Sequence, residues 1–285
     1  RTLERVAAAT FSSPKALMQL MVALSRRNER LPEMTLTRTQ PVSTIVLSVL
    51  FLSIGISNAS AQGLTQPDPE SFPQLFQWTD TCNVYVLRDG EAALLINLGN
   101  GSVLPKLAEM GVAKVEWVVF TDHHRENCQG FERLDRQVTK VAVPAAEREL
   151  FETPNEFRRW YPKLGDKYSV YGASYVRPPR LAIAVDQALE ADKTFSWHGY
   201  ELHCLSTPGH SPGGMTYLLK SDNRTLAFTG GLIHDGAKMT NWFDTEWDYG
   251  FGKGIDTLTE SVALVLDRKP DLLLPSQGPV IENAQ

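Results

Sequence analysis

The chain has 285 residues, 42% of them apolar and 21% charged, enough to bury a sizeable core in one large domain or two small ones. A formal net charge of −5 gives no electrostatic footprint for nucleic acid, and the modest acidic excess suits solubility. Three cysteines (Cys82, Cys128, Cys204) are too few for a disulfide scaffold and lack CxxC spacing, which leaves one pair plus a free thiol as an open arrangement.

Met34 opens a segment with Arg38 in a short basic part, an apolar run over 43–56, and then Asn58-Ala59-Ser60-Ala61. This order predicts a secretory signal peptide over 34–61, cut after Ala61. The apolar run is shorter than the roughly 20 residues a spanning helix needs. Residues 1–33 precede that methionine and read as an upstream segment outside the mature protein. The mature part is then one domain over 62–285, periplasmic or secreted, with no membrane contact after cleavage.

Within it, 66–73 is a Pro-rich leader. Two apolar runs, 83–87 and 92–97, flank Arg88-Asp89-Gly90-Glu91, and Asp-Gly in that setting predicts a β-hairpin. A helix is expected over 103–110, ending at Gly111, and a buried strand over 115–120. A helix start over 129–134, a strand over 138–143 stopped by Pro144, and a helix over 145–151 follow. Residues 152–179 form a long aromatic-rich connection, of the kind that is often functional. Hairpins are expected over 195–206, turning at His198-Gly199, and over 215–228, turning at Asp222-Asn223. A helix over 257–266 and a strand over 272–274 complete the pattern, which reads as stacked sheets with helices outside.

The strand over 115–120 delivers Thr121-Asp122-His123-His124-Arg125-Glu126-Asn127-Cys128-Gln129-Gly130. If the backbone stays extended, Asp122, His124 and Glu126 share one face, three metal-binding groups at a strand mouth. The plain alternative is a polar loop with solvated histidines. A second cluster, Thr207-Pro208-Gly209-His210-Ser211-Pro212-Gly213-Gly214, holds a histidine in a turn built from prolines and glycines, where backbone and ligand can come close.

With Phe228-Thr229-Gly230-Gly231 and Leu274-Pro275-Ser276-Gln277-Gly278-Pro279, these blocks resemble the metallo-β-lactamase superfamily. Its pattern is Thr-His-x-His-x-Asp-His-x-Gly-Gly after a strand, then Thr-Pro-Gly-His-Ser-Pro-Gly, Thr-Gly-Asp and a late Pro-x-His-Gly. Order and spacing match over roughly 83–281. The resemblance implies an α/β fold, a four-layer αβ/βα sandwich of two mixed sheets with helices on the outside and a metal site at the loop edges. It also implies a closing helix beyond Pro275, where this chain ends about ten residues later, so a shortened C-terminus is expected.

Carried over position by position, the first metal site offers Asp122 for the first histidine, then His124 and His210. The second offers Glu126, Asn127, Gln277 and, for the bridging aspartate, Gly231; Asn97 replaces a further aspartate. An amide is a weak zinc ligand and glycine supplies none, so the two-metal arrangement is not expected. Asp122, His124 and His210 suit one divalent metal, zinc first, with a position left for water; the same set also suits mononuclear iron. His123 and His234-Asp235 are possible substitutes, but His123 reads rather as a residue that supports the ligands or is solvated, and His234-Asp235 as an exposed loop. His203 is expected at the surface, His198 has no evident role, and Cys128 reads more simply as a small buried residue than as a ligand.

The implied activity is a metal-dependent hydrolase that uses activated water on a small-molecule ester, thioester, lactone or lactam. Glu126 would hold or deprotonate that water, or else sit in a salt bridge with Arg125 or Arg133. Residues 241–249 either line the substrate pocket or pack in the core. Two other functions stay open: an iron oxygenase on the same fold, and a non-catalytic binding protein. Oligomeric state is not legible.

Overall fold

The computed structural model describes residues 63–157, 177–221, 224–234 and 253–282. They lie in one compact unit that begins at Ser60. Its first half contains β1 (Leu75–Thr79), β2 (Asn83–Asp89), β3 (Ala92–Ile96), α1 (Leu104–Glu109), β4 (Lys114–Val119) and the single turn α2 (Arg125–Cys128). A 3-10 segment (Gln129–Arg133), β5 (Lys140–Pro144), a second 3-10 segment (Ala145–Glu147), α3 (Arg148–Glu152), α4 (Pro154–Phe157) and β6 (Gln187–Leu189) follow. The second half contains β7 (Thr194–Trp197), β8 (Tyr200–Ser206), β9 (Met215–Lys220), β10 (Thr225–Gly230), α5 (Lys253–Asp267), β11 (Leu272–Pro275) and β12 (Ile281–Glu282).

The strands form two six-stranded sheets, ordered β1-β2-β3-β4-β5-β6 and β12-β11-β10-β9-β8-β7. Both are mixed. In the first, β1, β2 and β3 are antiparallel and β3 through β6 run parallel. In the second, only β10 and β11 are parallel, joined through α5.

Period-2 alternation assigns the faces. Tyr85, Leu87, Leu94 and Ile96 point between the sheets, where Tyr217, Leu219, Phe228 and Leu274 meet them. The alternate residues Val84, Val86, Leu95 and Val118 pack outward beneath Leu107 of α1 and Phe151 of α3. Leu218, Ala227 and Leu273 do the same beneath Leu258 and Val265, part of the apolar stripe of α5. Three apolar layers between four layers of structure make the αβ/βα sandwich expected from the sequence.

Several boundaries differ from expectation. β1 and β6 were not anticipated, because Leu75–Thr79 follows the Pro-rich leader and has no clean alternation of burial. The expected 215–228 hairpin forms, but its turn residues Asp222 and Asn223 lie outside the described residues, as do 158–176 and 235–252. Among the described residues, no helix is long and apolar enough to cross a membrane.

Candidate metal centre

β4 ends at Val119, the backbone bends at Thr121 and Asp122, and the turn of α2 begins after His124 (φ −57°, ψ 138°). The Asn127 amide donates to the His124 carbonyl at 2.9 Å, so helical hydrogen bonding replaces alternation from Arg125 onward. This corrects the single extended face. Glu126 is half-buried on helical backbone, and its own carbonyl accepts a hydrogen bond from Thr81 Oγ1 at 2.8 Å. Asp122 and His124 keep their places at the strand mouth.

The loop over 207–214 brings the third residue. Its Thr207 amide donates to Gly214 O at 2.8 Å, and Ser261 of α5 donates to Pro208 O at 2.6 Å. Asp122, His124 and His210 then each offer a ligand atom, and these atoms all lie within 4.8 Å of one another. Among the described residues they are the group suited to a metal ion, and Glu126 is not part of it. Asp122 and His124 are buried, and His210 is partly so.

Asp122 is held from every side. Its Oδ1 accepts from the His124 amide at 3.0 Å, pairs with His124 Nδ1 at 2.9 Å and accepts from Asn127 Nδ2 at 2.8 Å. Its Oδ2 accepts from Thr121 Oγ1 at 3.0 Å. Burial acts to raise the pKa of this carboxyl, but the His124 hydrogen bond and the surrounding imidazoles outweigh it and keep it well below the usual carboxylate range. The His124 ring lies between those of His123 and His210, with centroids at 4.6 and 4.3 Å. Burial and the neighbouring His124 push the His210 pKa down to about 3, so its imidazole is neutral and carries the lone pair a metal requires. His234, read from sequence as an exposed loop position, is half-buried, and its charge adds to that depression. Asp235 lies outside the described residues.

The positions of the second metal site do not assemble. Asn127 Nδ2 is committed to Asp122, and its buried Oδ1 has no hydrogen-bond partner among the described residues. Gln277 donates to Thr81 O at 2.9 Å, a structural bond between loops. Gly231 offers no side chain, and a β-carbon there would meet the His210 ring. Asn97, at φ 61°, accepts from the Thr121 amide at 3.1 Å and so supports the residue before Asp122.

Sequence reasoning missed Glu147. It is fully buried, and its Oε2 accepts from the His123 amide at 2.6 Å and pairs with His123 Nδ1 at 2.9 Å. Its Oε1 accepts from Ser211 Oγ and from the Gly213 amide at 3.0 Å. The available signal was topological: β5 runs parallel to β4, so Pro144-Ala145-Ala146-Glu147 leaves the sheet at the same edge as Thr121. His123 is therefore a buried partner of Glu147, so of its two expected roles it takes the supporting one and not the solvated one.

All three cysteines are free and buried, so the suggested disulfide is not formed. The Cys128 thiol donates weakly to the His124 carbonyl at 3.6 Å, and burial and nearby Asp122 push its pKa upward, against a role as a thiolate ligand. His203 is half-buried on β8 and not fully at the surface. His198 bridges Asp89 at 2.7 Å and Glu116 at 3.0 Å. The aromatic stretch over 241–249, a suggested pocket wall, lies outside the described residues.

No protein-family model matches the chain, and no curated protein matches it in sequence. Solved structures do. The di-zinc class B3 metallo-β-lactamase LRA-12 from an Alaskan soil metagenome aligns at TM-score 0.54 and 14% identity, over 78% of this chain and 81% of that one. The metallo-β-lactamase of Cronobacter sakazakii with a HARLDQ motif aligns at TM-score 0.52 and 18% identity, over 72% of this chain and 76% of that one. BJP-1, a subclass B3 enzyme of Bradyrhizobium japonicum, aligns at TM-score 0.51 and 20% identity, over 73% and 75%. This chain has the metallo-β-lactamase fold, as its motifs implied.

Proposed function

We propose that this protein is an exported metal-dependent hydrolase that holds one divalent cation, zinc in the first place, between Asp122, His124 and His210. Its substrate is a small molecule with an ester, thioester, lactone or lactam bond. The observation that carries this reading is the convergence of three ligand atoms from two separate loops to within 4.8 Å, at the loop edge of a metallo-β-lactamase fold. The donor set fits the ion: one ionised carboxylate and two imidazoles match a single zinc that keeps a position for water. The buried Asn127 Oδ1, without a hydrogen-bond partner among the described residues, adds an unused acceptor beside Asp122. Export is inferred from the signal-peptide pattern over 34–61.

A cation in this position supplies Lewis acidity and lowers the pKa of water from 15.7 to about 7. The chain's own residues do the rest. Asp122 contributes negative charge and, through Oδ1, orients the His124 ring. Glu126, half-buried on the turn two residues after His124, is the carboxylate we assign to proton transfer. Asn127 and Thr121 hold the Asp122 carboxylate in one orientation.

Two imidazoles and one carboxylate are also the ligand set of mononuclear iron oxygenases, which makes that the second reading. Elemental analysis of protein produced from Gln62 onward separates the cases. One zinc per chain, lost in His210→Ala, is the expected result. One iron per chain would favour the oxygenase, and a chain that takes up no metal would leave only a binding function.

A further inference from the structure

We propose that Glu147 is the positioning residue of this centre, a buried carboxylate that sets the distance between the two ligand-bearing loops by giving one oxygen to each. The proposal rests on the metal reading above for its purpose, but not for its geometry.

The division of labour is between atoms. Oε2 takes both the amide and Nδ1 of His123, the residue between Asp122 and His124. Oε1 takes Ser211 Oγ and the Gly213 amide, and Ser211 is the residue after His210. Each oxygen thus holds a residue adjacent to a candidate ligand, so the carboxyl plane spans the two loops as a strut. The side chains concerned are closed to water: Glu147 is 0% exposed, His123 1% and Ser211 1%. Charge-assisted bonds in such surroundings are short, directional and costly to break.

The sequence of the second loop follows from this strut. A β-carbon at Gly213 would lie 2.6 Å from Glu147 Cγ and 2.8 Å from Ala146 Cβ. Only glycine lets that backbone come close enough for its amide to reach the carboxylate. Ser211 supplies the second donor. Two of the conspicuous residues of the 207–214 block are therefore contacts of Glu147, and a centre bound by residues of two loops is only as well defined as the link between those loops.

A glutamine at 147 keeps the shape but has one acceptor oxygen, so it can satisfy the donors of one loop and must turn an NH2 toward those of the other. Hydrogen–deuterium exchange of the full, metal-free chain reads this directly. In Glu147→Ala, exchange should rise about tenfold or more in both 121–130 and 207–214, with the strands 83–89 and 215–220 unchanged. Glu147→Gln should show the same rise in at least one of the two loops, and it serves if the alanine variant does not fold. Cobalt(II) affinity should fall about 10- to 100-fold in Glu147→Gln, with an altered visible spectrum. Unchanged exchange in both loops of Glu147→Gln, or an equal rise in loops and strands, would overturn the proposal. A wild-type chain that takes up no cobalt would sink the metal reading instead, and the exchange data would still decide the strut.

Discussion

A β-carbon placed on Gly231 would lie 2.2 Å from Nε2 of His210, so the imidazole occupies the space that any side chain at 231 would need. The two positions are coupled: the ring sits where it does because residue 231 has no side chain. The superfamily pattern has an aspartate here, and beside the His210 ring of this structure such a side chain has no room.

Gly231→Asp should therefore not add a second cation. It should displace the His210 ring and lower the affinity for the first cation by about 10-fold or more. Titration calorimetry with zinc checks this, and two ions per chain in the variant would contradict it.

Asp122→Asn keeps the shape of the side chain and removes its charge. The donors from His124 and Asn127 then face a neutral amide, at a cost of about 1–3 kcal/mol in stability. Zinc content should drop well below one per chain. Denaturant unfolding combined with metal analysis measures both, and retention of a full zinc equivalent would remove Asp122 from the ligand set.

A cation that binds only the folded chain stabilises it by mass action, by about 2.7 kcal/mol when its concentration is 100 times the dissociation constant. Thermal unfolding with and without excess zinc should show that gain in wild type and none in His210→Ala. Equal stabilisation of both would place the ion elsewhere.

The cysteines give a chemical test of the core. Cys82, Cys128 and Cys204 are buried and free, and burial raises all three thiols, Cys204 to about 11. Since the thiolate is the reactive form, an aromatic disulfide reagent should label none of them rapidly in the folded protein and all three after denaturation. Prompt labelling of Cys128 at neutral pH would mean that the loop carrying the centre opens readily.

Leu94 is 0% exposed between the sheets. Leu94→Ala should cost about 2–5 kcal/mol, read as a lower denaturation midpoint with an unchanged slope.

The parts of this molecule that repeat a local rule were legible in its sequence. Asp89-Gly90 gave a hairpin, period-2 apolar residues gave the strands, and the 207–213 block gave the loop with His210. Asp122, His124 and His210 could be grouped because the motif order carried them. What local rules do not contain was missed. Arg125 starts a helix because Asn127 bonds back to His124, which removed Glu126 from the face it was expected to share. Glu147 was invisible because its partners are 24 and 64 residues away. His198 had no assigned role because Asp89 is 109 residues distant.

Three hydrogen bonds that belong to neither sheet's own ladder bear on how the molecule comes apart. Asn83 Nδ2 and the Tyr85 hydroxyl, both on β2, donate to the carbonyl of Pro275 at the end of β11, at 2.9 and 2.8 Å. Tyr217 of β9 returns the exchange by donating to Phe120 O at 2.6 Å. Each half of the sandwich thus caps polar atoms that the other would leave dry and unsatisfied. Parting the two sheets would break these bonds along with the apolar layer between them, so each half supports the folding of the other.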